Sequence, residues 1–254
     1  MEKKTALITG ARALITGARA LITGASSGIG RELAKIHASQ GGDLVIVARS
    51  EDKLKALKSE LEKLYKVKVT IIVKDLSRIE SSQEIYAELK KANIEIDYLI
   101  NNAGFGGVGK FHELDLQTQI NMINLNITSL TVLSHLFLND FTKRNAGKIL
   151  NVSSTASFMP GPLQAVYFAT KSYVQFLSNA ISEELSETNV TVTNLMPGAT
   201  ATAYSVALDG YKGMIAGKMD VISGVSTSLM MQLKMIPFAP KKVILRQVKK
   251  MQEV

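Results

Sequence analysis

Residue types and patterns that mark several protein classes are missing from this 254-residue chain. It has no cysteine, which excludes disulfides and thiolate chemistry and leaves the redox compartment open. Its three histidines, His37, His112 and His135, are scattered without partners at metal-ligand spacing, so no metal site is expected. No pair of carboxylates stands out as an acid/base couple.

Long apolar runs are missing as well. No stretch reaches the ~18 residues of a membrane-spanning helix. The apolar runs near the N-terminus are too short for the core of a signal peptide. No linker rich in glycine, serine or proline interrupts the pattern, so we expect a single-domain, cytoplasmic protein.

The net charge of +8 is partly concentrated near the C-terminus, in KKVILRQVKK from Lys241 to Lys250. No aromatic residue interleaves with these cations, which argues against nucleic-acid binding. Together with Met251, apolar residues at helical spacing (Val243, Ile244, Val248) make the stretch amphipathic. We expect it to pack on its own domain or on a partner subunit, and rank contact with a membrane surface below these.

Short β-branched runs alternate with longer amphipathic stretches along the chain. This alternation is typical of βαβ units, and the near-continuous apolar strands indicate a parallel sheet buried on both faces. Strands are predicted at residues 20–24, 43–48, 67–73, 97–102, 148–154, 190–196 and 220–223. A last helical stretch, interrupted at 236–240, is predicted over 226–251. The other helices are predicted to begin at Ile29, Glu51, Arg78, Leu116, Leu163 and Ser205.

A tandem repeat opens the sequence. The unit ALITGAR occurs at residues 6–12 and 13–19, and a third copy begins at Ala20. Three copies cannot fill one strand position, and only the third continues into a glycine-rich turn and a helix. We predict that residues 20–254 form the domain and that residues 1–19 are a duplicated extension, poorly ordered or an edge segment. The duplication is either natural or an artefact of the recorded sequence.

The turn after the third copy reads TGASSGIG, residues 23–30. Gly24 allows a sharp turn, Gly28 allows backbone to approach a phosphate, and Gly30 allows the helix to pack closely on the sheet. The following helix directs its first N–H groups to the same place, which suits a pyrophosphate. A glycine triplet alone is a weak signal, but its position between a strand and a helix is the context that dinucleotide binding requires.

Further motifs follow in order: DL (75–76), NNAG (101–104), LNIT (125–128), NVSS (151–154), YFATK (167–171), and PG (197–198) followed by Thr202. From about Ala20 to its end, the chain resembles the short-chain dehydrogenase/reductase family. The resemblance implies a single doubly wound parallel sheet of the Rossmann type with helices on both faces. It also implies an oxidoreductase that transfers hydride between a nicotinamide cofactor and a ketone or secondary alcohol.

Tyr167 and Lys171 are four residues apart and so share one helix face. A phenol has a pKa of about 10, and a neighbouring ammonium lowers it, which would let Tyr167 exchange a proton with a carbonyl oxygen. The resemblance implies that Ser154 holds the substrate oxygen, with Ser153 the less favoured candidate. It further implies that Asn126 kinks its helix and holds a water that joins Lys171 to a proton relay. The predicted catalytic residues are Asn126, Ser154, Tyr167 and Lys171.

The choice of cofactor depends on the residue that follows the second strand. An acidic side chain there would bind the ribose hydroxyls of NAD, whereas this chain has Arg49, which can accept a 2′-phosphate. We therefore expect NADP(H) rather than NAD(H). Thr23 is expected to support the sheet rather than bind anything. The predicted cofactor contacts are Gly24, Ser26, Ser27, Gly28, Ile29, Gly30, Arg49, Asp75, Leu76, Asn102, Ala103, Gly104, Lys171, Pro197, Gly198, Thr200 and Thr202.

The substrate is less sharply indicated. Phe105, Phe158 and Met159 suggest an apolar wall, and the resemblance points to lipophilic ketones, including 3-oxoacyl thioesters and steroids. The segment after Thr202 is shorter than the lid of similar proteins, which puts closure over the substrate in doubt. The resemblance implies a homodimer or homotetramer. The alternative function is a nucleotide-sensing scaffold without turnover.

Overall fold

The computed structural model describes residues 17–199, 201–224 and 241–252. Seven strands form one parallel sheet in the order β3-β2-β1-β4-β5-β6-β7. The strands are β1 (Arg19–Thr23), β2 (Asp43–Ala48), β3 (Val69–Val73), β4 (Tyr98–Asn101), β5 (Gly147–Val152), β6 (Val190–Pro197) and β7 (Asp220–Ser223). The order reverses between β1 and β4, and in open sheets of this kind ligands bind at such a switch point.

The α-helices described are α1 (Gly28–Ser39), α2 (Glu51–Tyr65), α3 (Ser81–Lys91), α4 (Leu116–Ile123), α5 (Leu130–Lys143), α6 (Ala165–Glu184), α7 (Ala203–Ile215) and α8 (Lys241–Gln252). A π-helical turn, Asn124–Ser129, joins α4 to α5, and a 3-10 turn, Thr155–Phe158, precedes α6. In the described ranges, no helix has the length and apolar character needed to cross a membrane.

Apolar side chains bury both faces of the sheet. In β1, Ala20 and Ile22 belong to the core shared with α1, α2 and α7, whereas Leu21 belongs to the core shared with α3 and α5. Alternation of neighbouring residues between two cores explains why the strands are apolar almost throughout. The predicted doubly wound parallel sheet is confirmed.

The third repeat copy forms the first strand. Arg19 fixes its start: the backbone N–H donates to Asp97 Oδ2 at 2.8 Å, and the guanidinium contacts Asp43 Oδ2 at 3.1 Å. The strand therefore begins one residue before the predicted domain boundary. The first copy and most of the second lie outside the described residues, so the predicted extension stays a prediction.

Four predicted helix starts differ from the structure. α1 begins at Gly28 instead of Ile29, and α7 begins at Ala203 instead of Ser205 because Thr202 is its N-cap residue. The other two are shifted by local turns. The helix expected from Arg78 begins at Ser81, since Asp75 accepts hydrogen bonds from the N–H and the hydroxyl of Ser77 at 3.0 and 2.8 Å. The helix expected from Leu163 begins at Ala165, since Leu163 has a φ of +68°. Of the predicted stretch 226–251, residues 241–251 are helical and the rest lies outside the described residues.

Candidate active site

A cleft of about 820 Å³ lies at the carboxyl ends of the central strands. It spans the point where the strand order reverses and brings together most of the predicted site residues. Those that line it are Gly24, Ser26, Ser27, Ile29, Arg49, Asp75, Leu76, Asn102, Ala103, Gly104, Ser154, Tyr167, Lys171 and Pro197.

Thr23 ties together the two strand ends that form the floor of the cleft. Its Oγ1 accepts hydrogen bonds from the backbone N–H groups of Asn102 and Ala103, each at 3.0 Å. The side-chain amide of Asn102 in turn donates to the Thr23 carbonyl at 3.0 Å. Thr23 thus supports the sheet, as the sequence indicated.

The glycine-rich turn brings α1 close to the strand ends. Gly24 has a φ of +66°, a conformation that suits glycine. A Cβ on Gly30 would collide with the Gly24 carbonyl oxygen and the Asn102 amide. Gly28 and Gly30 shape the turn but, unlike Gly24, do not line the cleft.

The first turn of α1 is suited to an anion. Ser27 is the N-cap residue, and its side chain makes no capping hydrogen bond. The first turn has no acidic residue to offset the positive end of the helix dipole. Since Ser27 and Ile29 both line the cleft, N–H groups without side-chain partners lie at its wall, the arrangement used for phosphates.

Arg49 stands at the other end of the cleft, beyond β2. Its side chain is 77% exposed and approaches Asp75 Oδ2 only to 3.9 Å, so the guanidinium is available to a ligand. Burial raises the pKa of Asp75, but hydrogen bonds from Ser77 and the charges of Arg49 and Arg78 outweigh this and hold the pKa below its usual value. Asp75 is therefore an acceptor at neutral pH.

Tyr167, Ser154 and Lys171 meet at the inner end of the cleft. Tyr167 and Ser154 both line the cleft, and a hydrogen bond from Ser154 acts to lower the pKa of Tyr167, which burial raises. Lys171 is buried, its Nζ donates to the Val152 carbonyl at 2.9 Å, and this Nζ lies 5.7 Å from the Tyr167 ring centroid. Burial lowers the pKa of Lys171 to about 8.

The predicted lowering of the tyrosine pKa is not observed. Burial raises the pKa of Tyr167, and only the hydrogen bond with Ser154 acts in the opposite direction. The cause is geometric, because the Lys171 ammonium donates to a backbone carbonyl and faces the ring rather than the phenolic oxygen. In this arrangement Tyr167 keeps its proton at neutral pH.

The two candidate serines are clearly separated. Ser153 is buried, and its hydroxyl donates to Asn194 Oδ1 at 2.6 Å. Ser154 caps the 3-10 turn by accepting from the Ala156 N–H at 3.1 Å, and it lies in the cleft beside Tyr167. Ser153 also lines the cleft, but its hydroxyl is engaged with Asn194, so we assign the contact with a ligand oxygen to Ser154.

Asn126 lies behind the cleft, in the π-helical turn between α4 and α5. Its Oδ1 accepts from the Phe105 N–H at 3.1 Å, and its Nδ2 donates to the Phe105 carbonyl at 2.9 Å and to Thr170 Oγ1 at 3.0 Å. A Cβ on Gly104 would lie 3.0 Å from Asn126 Oδ1 and 3.5 Å from Lys171 Nζ. Asn126 therefore lies in the distorted part of its helix and holds the wall next to Lys171.

Some predicted contacts are not brought to the cleft. The Gly198 N–H donates to the Ser223 carbonyl at 2.8 Å, which ties the end of β6 to β7. Thr202 caps α7, with its Oγ1 accepting from the Ser205 N–H at 3.2 Å. Thr200 lies outside the described residues. Among the described residues of this group, Pro197 alone lines the cleft.

The sequence analysis also missed part of the lining. Gln164 is the clearest case, since it is the N-cap residue of α6 and precedes Tyr167 by three residues, which places both at the same end of the helix. Phe105 lines the cleft as expected, whereas Phe158 and Met159 do not. The lining residues that were not predicted are Val47, Ala48, Ser50, Lys74, Gly106, Gly107, Val108, Leu125, Val152 and Gln164.

Comparison with known proteins agrees with this geometry. The family model of the short chain dehydrogenases matches residues 18–210, well over half of the chain. The human very-long-chain 3-oxoacyl-CoA reductase is 35% identical over 183 residues, which cover 70% of this chain and 57% of that protein. The chain thus spans somewhat more than half the length of the curated relatives it matches.

Two solved structures share both fold and sequence. The alcohol dehydrogenase from Comamonas testosteroni that is specific for bulky-bulky ketones aligns with a TM-score of 0.80 and 30% identity, over 87% of this chain and 92% of its own. The short-chain dehydrogenase from Sphingobium yanoikuyae in complex with NADPH aligns with a TM-score of 0.76 and 31% identity, over 81% and 87%. By its sequence, fold and cleft, this chain belongs to the short-chain dehydrogenase/reductase family.

Proposed function

We propose that the protein is an NADP(H)-dependent reductase of lipophilic ketones, including 3-oxoacyl thioesters. One observation carries this proposal: a hydroxyl pair, Tyr167 and Ser154, lies beside a buried lysine in the same cleft as a glycine-rich turn. Relatives named as a 3-oxoacyl-CoA reductase and a bulky-ketone alcohol dehydrogenase support the substrate class.

The cleft fits a nicotinamide dinucleotide. The first turn of α1, without acidic residues or a side-chain cap, would hold the pyrophosphate. Asp75 and Leu76 would lie beside the adenine, and Arg49 would bind the 2′-phosphate by charge-assisted hydrogen bonds. When bound, NADPH supplies the hydride that goes to the carbonyl carbon of the substrate.

The proton comes from the chain itself. Because the pKa of Tyr167 is raised, its phenol is protonated at neutral pH and can donate that proton to the substrate oxygen. The Ser154 hydroxyl would hydrogen-bond the same oxygen and fix its position. Lys171, placed between the Val152 carbonyl and the Tyr167 ring, would bind the nicotinamide ribose.

The apolar part of the substrate would lie on the side of the cleft formed by Phe105, Gly106 and Val108. Two consecutive glycines, 106 and 107, leave room there for a bulky group. The side chain of Val108 is 60% exposed, so this wall offers apolar surface without a partner from the described chain. Such a surface favours a lipophilic substrate over a sugar or a small hydroxy acid.

We further propose that the protein forms a homodimer through α4 and α6. The large apolar side chains exposed on these helices include Leu116 and Phe176, each 70% exposed, and the partly exposed Ile120 and Ile123. An apolar surface of this kind is typical of a subunit interface. Sedimentation velocity would show a dimer, and Phe176→Glu would shift it to the monomer; a monomeric parent would contradict the proposal.

The decisive experiment replaces Tyr167 by phenylalanine. Tyr167→Phe should keep the parent affinity for NADPH and lose ~10²–10⁴-fold in turnover, because only the proton donor is removed. NADPH oxidation with a panel of lipophilic ketones measures the rate, and calorimetry measures cofactor affinity. If the parent binds NADPH but oxidises it with none of the ketones, the reductase proposal is wrong and the protein is a nucleotide-sensing scaffold.

A further inference from the structure

The strand β1 is held at its start by contacts of Ala18 and Arg19. The Arg19 N–H donates to Asp97 Oδ2 at 2.8 Å, and the guanidinium contacts Asp43 Oδ2 at 3.1 Å. One residue earlier, the Ala18 carbonyl lies 3.1 Å from His37 Nε2. The start of β1 therefore requires an arginine and the alanine before it.

The rest of β1 is held by burial and by the turn that follows. Residues 20–22 are fully buried, in register with β2 on one side and β4 on the other. Thr23 supports the strand end, and Gly24 adopts a φ of +66°. The Ala25 N–H donates to the Val47 carbonyl at 3.3 Å. The contacts that place β1 in the sheet thus come from residues 18–25.

The second repeat copy offers the same residues in the same order. Residues 10–18 read GARALITGA, and residues 17–25 read GARALITGA as well. Arg12 therefore corresponds to Arg19. The first copy is preceded by Thr5 instead of an arginine, so it cannot make the Arg19 contacts. The contacts within the sheet do not distinguish the second copy from the third.

The sequence after the strand does distinguish the two copies. After Ala25 the chain continues directly into Ser26 and Ser27, which begin the proposed pyrophosphate site. With the second copy in β1, the seven residues 19–25 would be inserted between the strand and Ser26. Gly24 and Ser26 both line the cleft, so the insertion would lie at the wall where the pyrophosphate would bind.

This insertion is the main cost of exchanging the copies. Identical side chains would fill the same positions in the sheet, so the apolar surface that β1 buries would not change. The entropic cost of closing a loop grows only with the logarithm of its length, a factor on the order of 20 for seven residues. A large-to-small substitution in the buried part of one copy outweighs this factor.

We propose that the second copy can replace the third in β1, and that this exchange of register closes the cofactor site. Both registers form the same sheet, but only the register with the third copy keeps the glycine-rich turn next to the strand. A dinucleotide binds that register alone and therefore stabilises it. The effect on the cofactor rests on the proposed function, whereas the exchange itself does not. The repeat is thus an autoinhibitory element of the fold.

Two leucines that lie opposite one another on neighbouring strands test the exchange. Leu21 is in register with Leu99 of β4, and both are fully buried in the same core. Leu99→Ala should lower Tm by roughly 5–20 °C. Leu21→Ala should lower Tm by about half of that or less, because the second copy supplies an intact leucine at the same place. Equal losses in Tm, or a Leu21→Ala protein that does not fold, would overturn the proposal.

A second substitution, Leu14→Asp, removes the intact copy, because a charge cannot enter a buried strand. In the parent it should leave Tm unchanged. In Leu21→Ala it should lower Tm to that of Leu99→Ala. Leu7→Asp makes the same change in the first copy and is the matched control, with no effect on Tm in either background. Additive effects of Leu14→Asp and Leu21→Ala on Tm would show that no exchange takes place.

Calorimetry with NADP⁺, at a temperature where circular dichroism shows each variant folded, gives a readout that a weakened fold alone would not move. Leu21→Ala should raise the Kd roughly tenfold or more, whereas Leu99→Ala should leave it within about twofold. Adding Leu14→Asp to Leu21→Ala should restore the parent Kd although it lowers Tm. A Kd that is not restored would overturn the closing of the site. If the parent does not bind NADP⁺ while the effects on Tm are non-additive, the proposed function fails and the exchange stands.

Discussion

The Lys171 ammonium faces the ring of Tyr167 rather than its hydroxyl, with Nζ 5.7 Å from the ring centroid and 2.9 Å from the Val152 carbonyl oxygen. Burial has opposite effects on the two groups. It lowers the pKa of Lys171 to about 8 and raises the pKa of Tyr167. Both shifts favour the neutral side chain, and both show that the site holds polar groups at a cost in stability.

Replacing Lys171 should therefore stabilise the ligand-free protein while it removes activity. At pH 7 the folded state carries a buried cation whose pKa is depressed from 10.5 to about 8. Lys171→Met removes this cost but leaves the Val152 carbonyl without its donor, so a net gain of roughly 1–3 kcal/mol in the free energy of unfolding is expected. Urea denaturation measures the gain, and NADPH oxidation measures the loss of activity.

The stability difference between Lys171→Met and the parent should also depend on pH. Between pH 8 and 10.5 the unfolded lysine binds a proton that the folded one has released, so Lys171 makes the parent more stable as pH rises. The excess of Lys171→Met over the parent in the free energy of unfolding should therefore decrease by about 1.4 kcal/mol per pH unit across this window. A stability difference that stays constant from pH 7 to 10 would contradict the depressed pKa.

Gly106 should position Tyr167. A Cβ at residue 106 would lie 3.0 Å from Tyr167 Cδ2 and 3.2 Å from its Cγ, so the ring would have to move by a few tenths of an ångström. Because proton transfer depends on placement, we expect Gly106→Ala to lower kcat roughly tenfold with unchanged NADPH affinity.

Gly107→Ala is the control for this change, since a Cβ there would meet only Met122 Cε at an ordinary 3.6 Å. With a small ketone, which does not need the space that the two glycines leave, it should keep the parent kcat. Equal kcat values for the two variants would show that Gly106 has no such role, and thermal denaturation would detect a general loss of stability.

The sheet and most of the cleft could be predicted from the sequence because their signals are local. A glycine-rich turn follows one strand, and the pair Tyr167 and Lys171 lies within one helix. What was missed depends on contacts between distant segments. Gln252 reaches Gln164 across 88 residues, and the orientation of Lys171 is set by the Val152 carbonyl on a neighbouring strand.

Arg49 should set the preference for NADPH. Its exposed guanidinium is only loosely paired with Asp75, at 3.9 Å, and can bind a 2′-phosphate. Charged hydrogen bonds contribute ~1.5–3 kcal/mol, so Arg49→Gln should weaken NADPH binding about 10–100-fold and leave NADH binding unchanged. Lys53→Gln, which removes a charge from an exposed position on α2 away from the cleft, is the control. Equal losses for both cofactors would contradict the assignment.

His37 should make the fold sensitive to acid. The sequence analysis considered it only as a metal ligand, but its ring is fully buried. Nε2 lies 3.1 Å from the Ala18 carbonyl, which can only accept, so Nε2 carries the proton and Nδ1 accepts from the Tyr211 hydroxyl at 2.8 Å. Burial lowers the pKa of His37 to about 4, although the nearby Asp43 and Asp97 act in the opposite direction.

Because the pKa of His37 is lower in the folded state, the unfolded state takes up a proton at a higher pH than the folded state does. The contribution of neutral His37 to the free energy of unfolding is therefore fully present above pH 6.5. It declines by about 1.4 kcal/mol per pH unit as the pH falls to about 4. His37→Gln should be less stable than the parent at pH 7, because it loses ring packing against Tyr98 and Tyr211. The difference in the free energy of unfolding between the parent and His37→Gln, here called the gap, should narrow by roughly 3 kcal/mol between pH 6.5 and 4, since glutamine does not titrate. Urea denaturation of both proteins across this range measures the gap, and parallel stability curves would show that His37 is not the group that titrates.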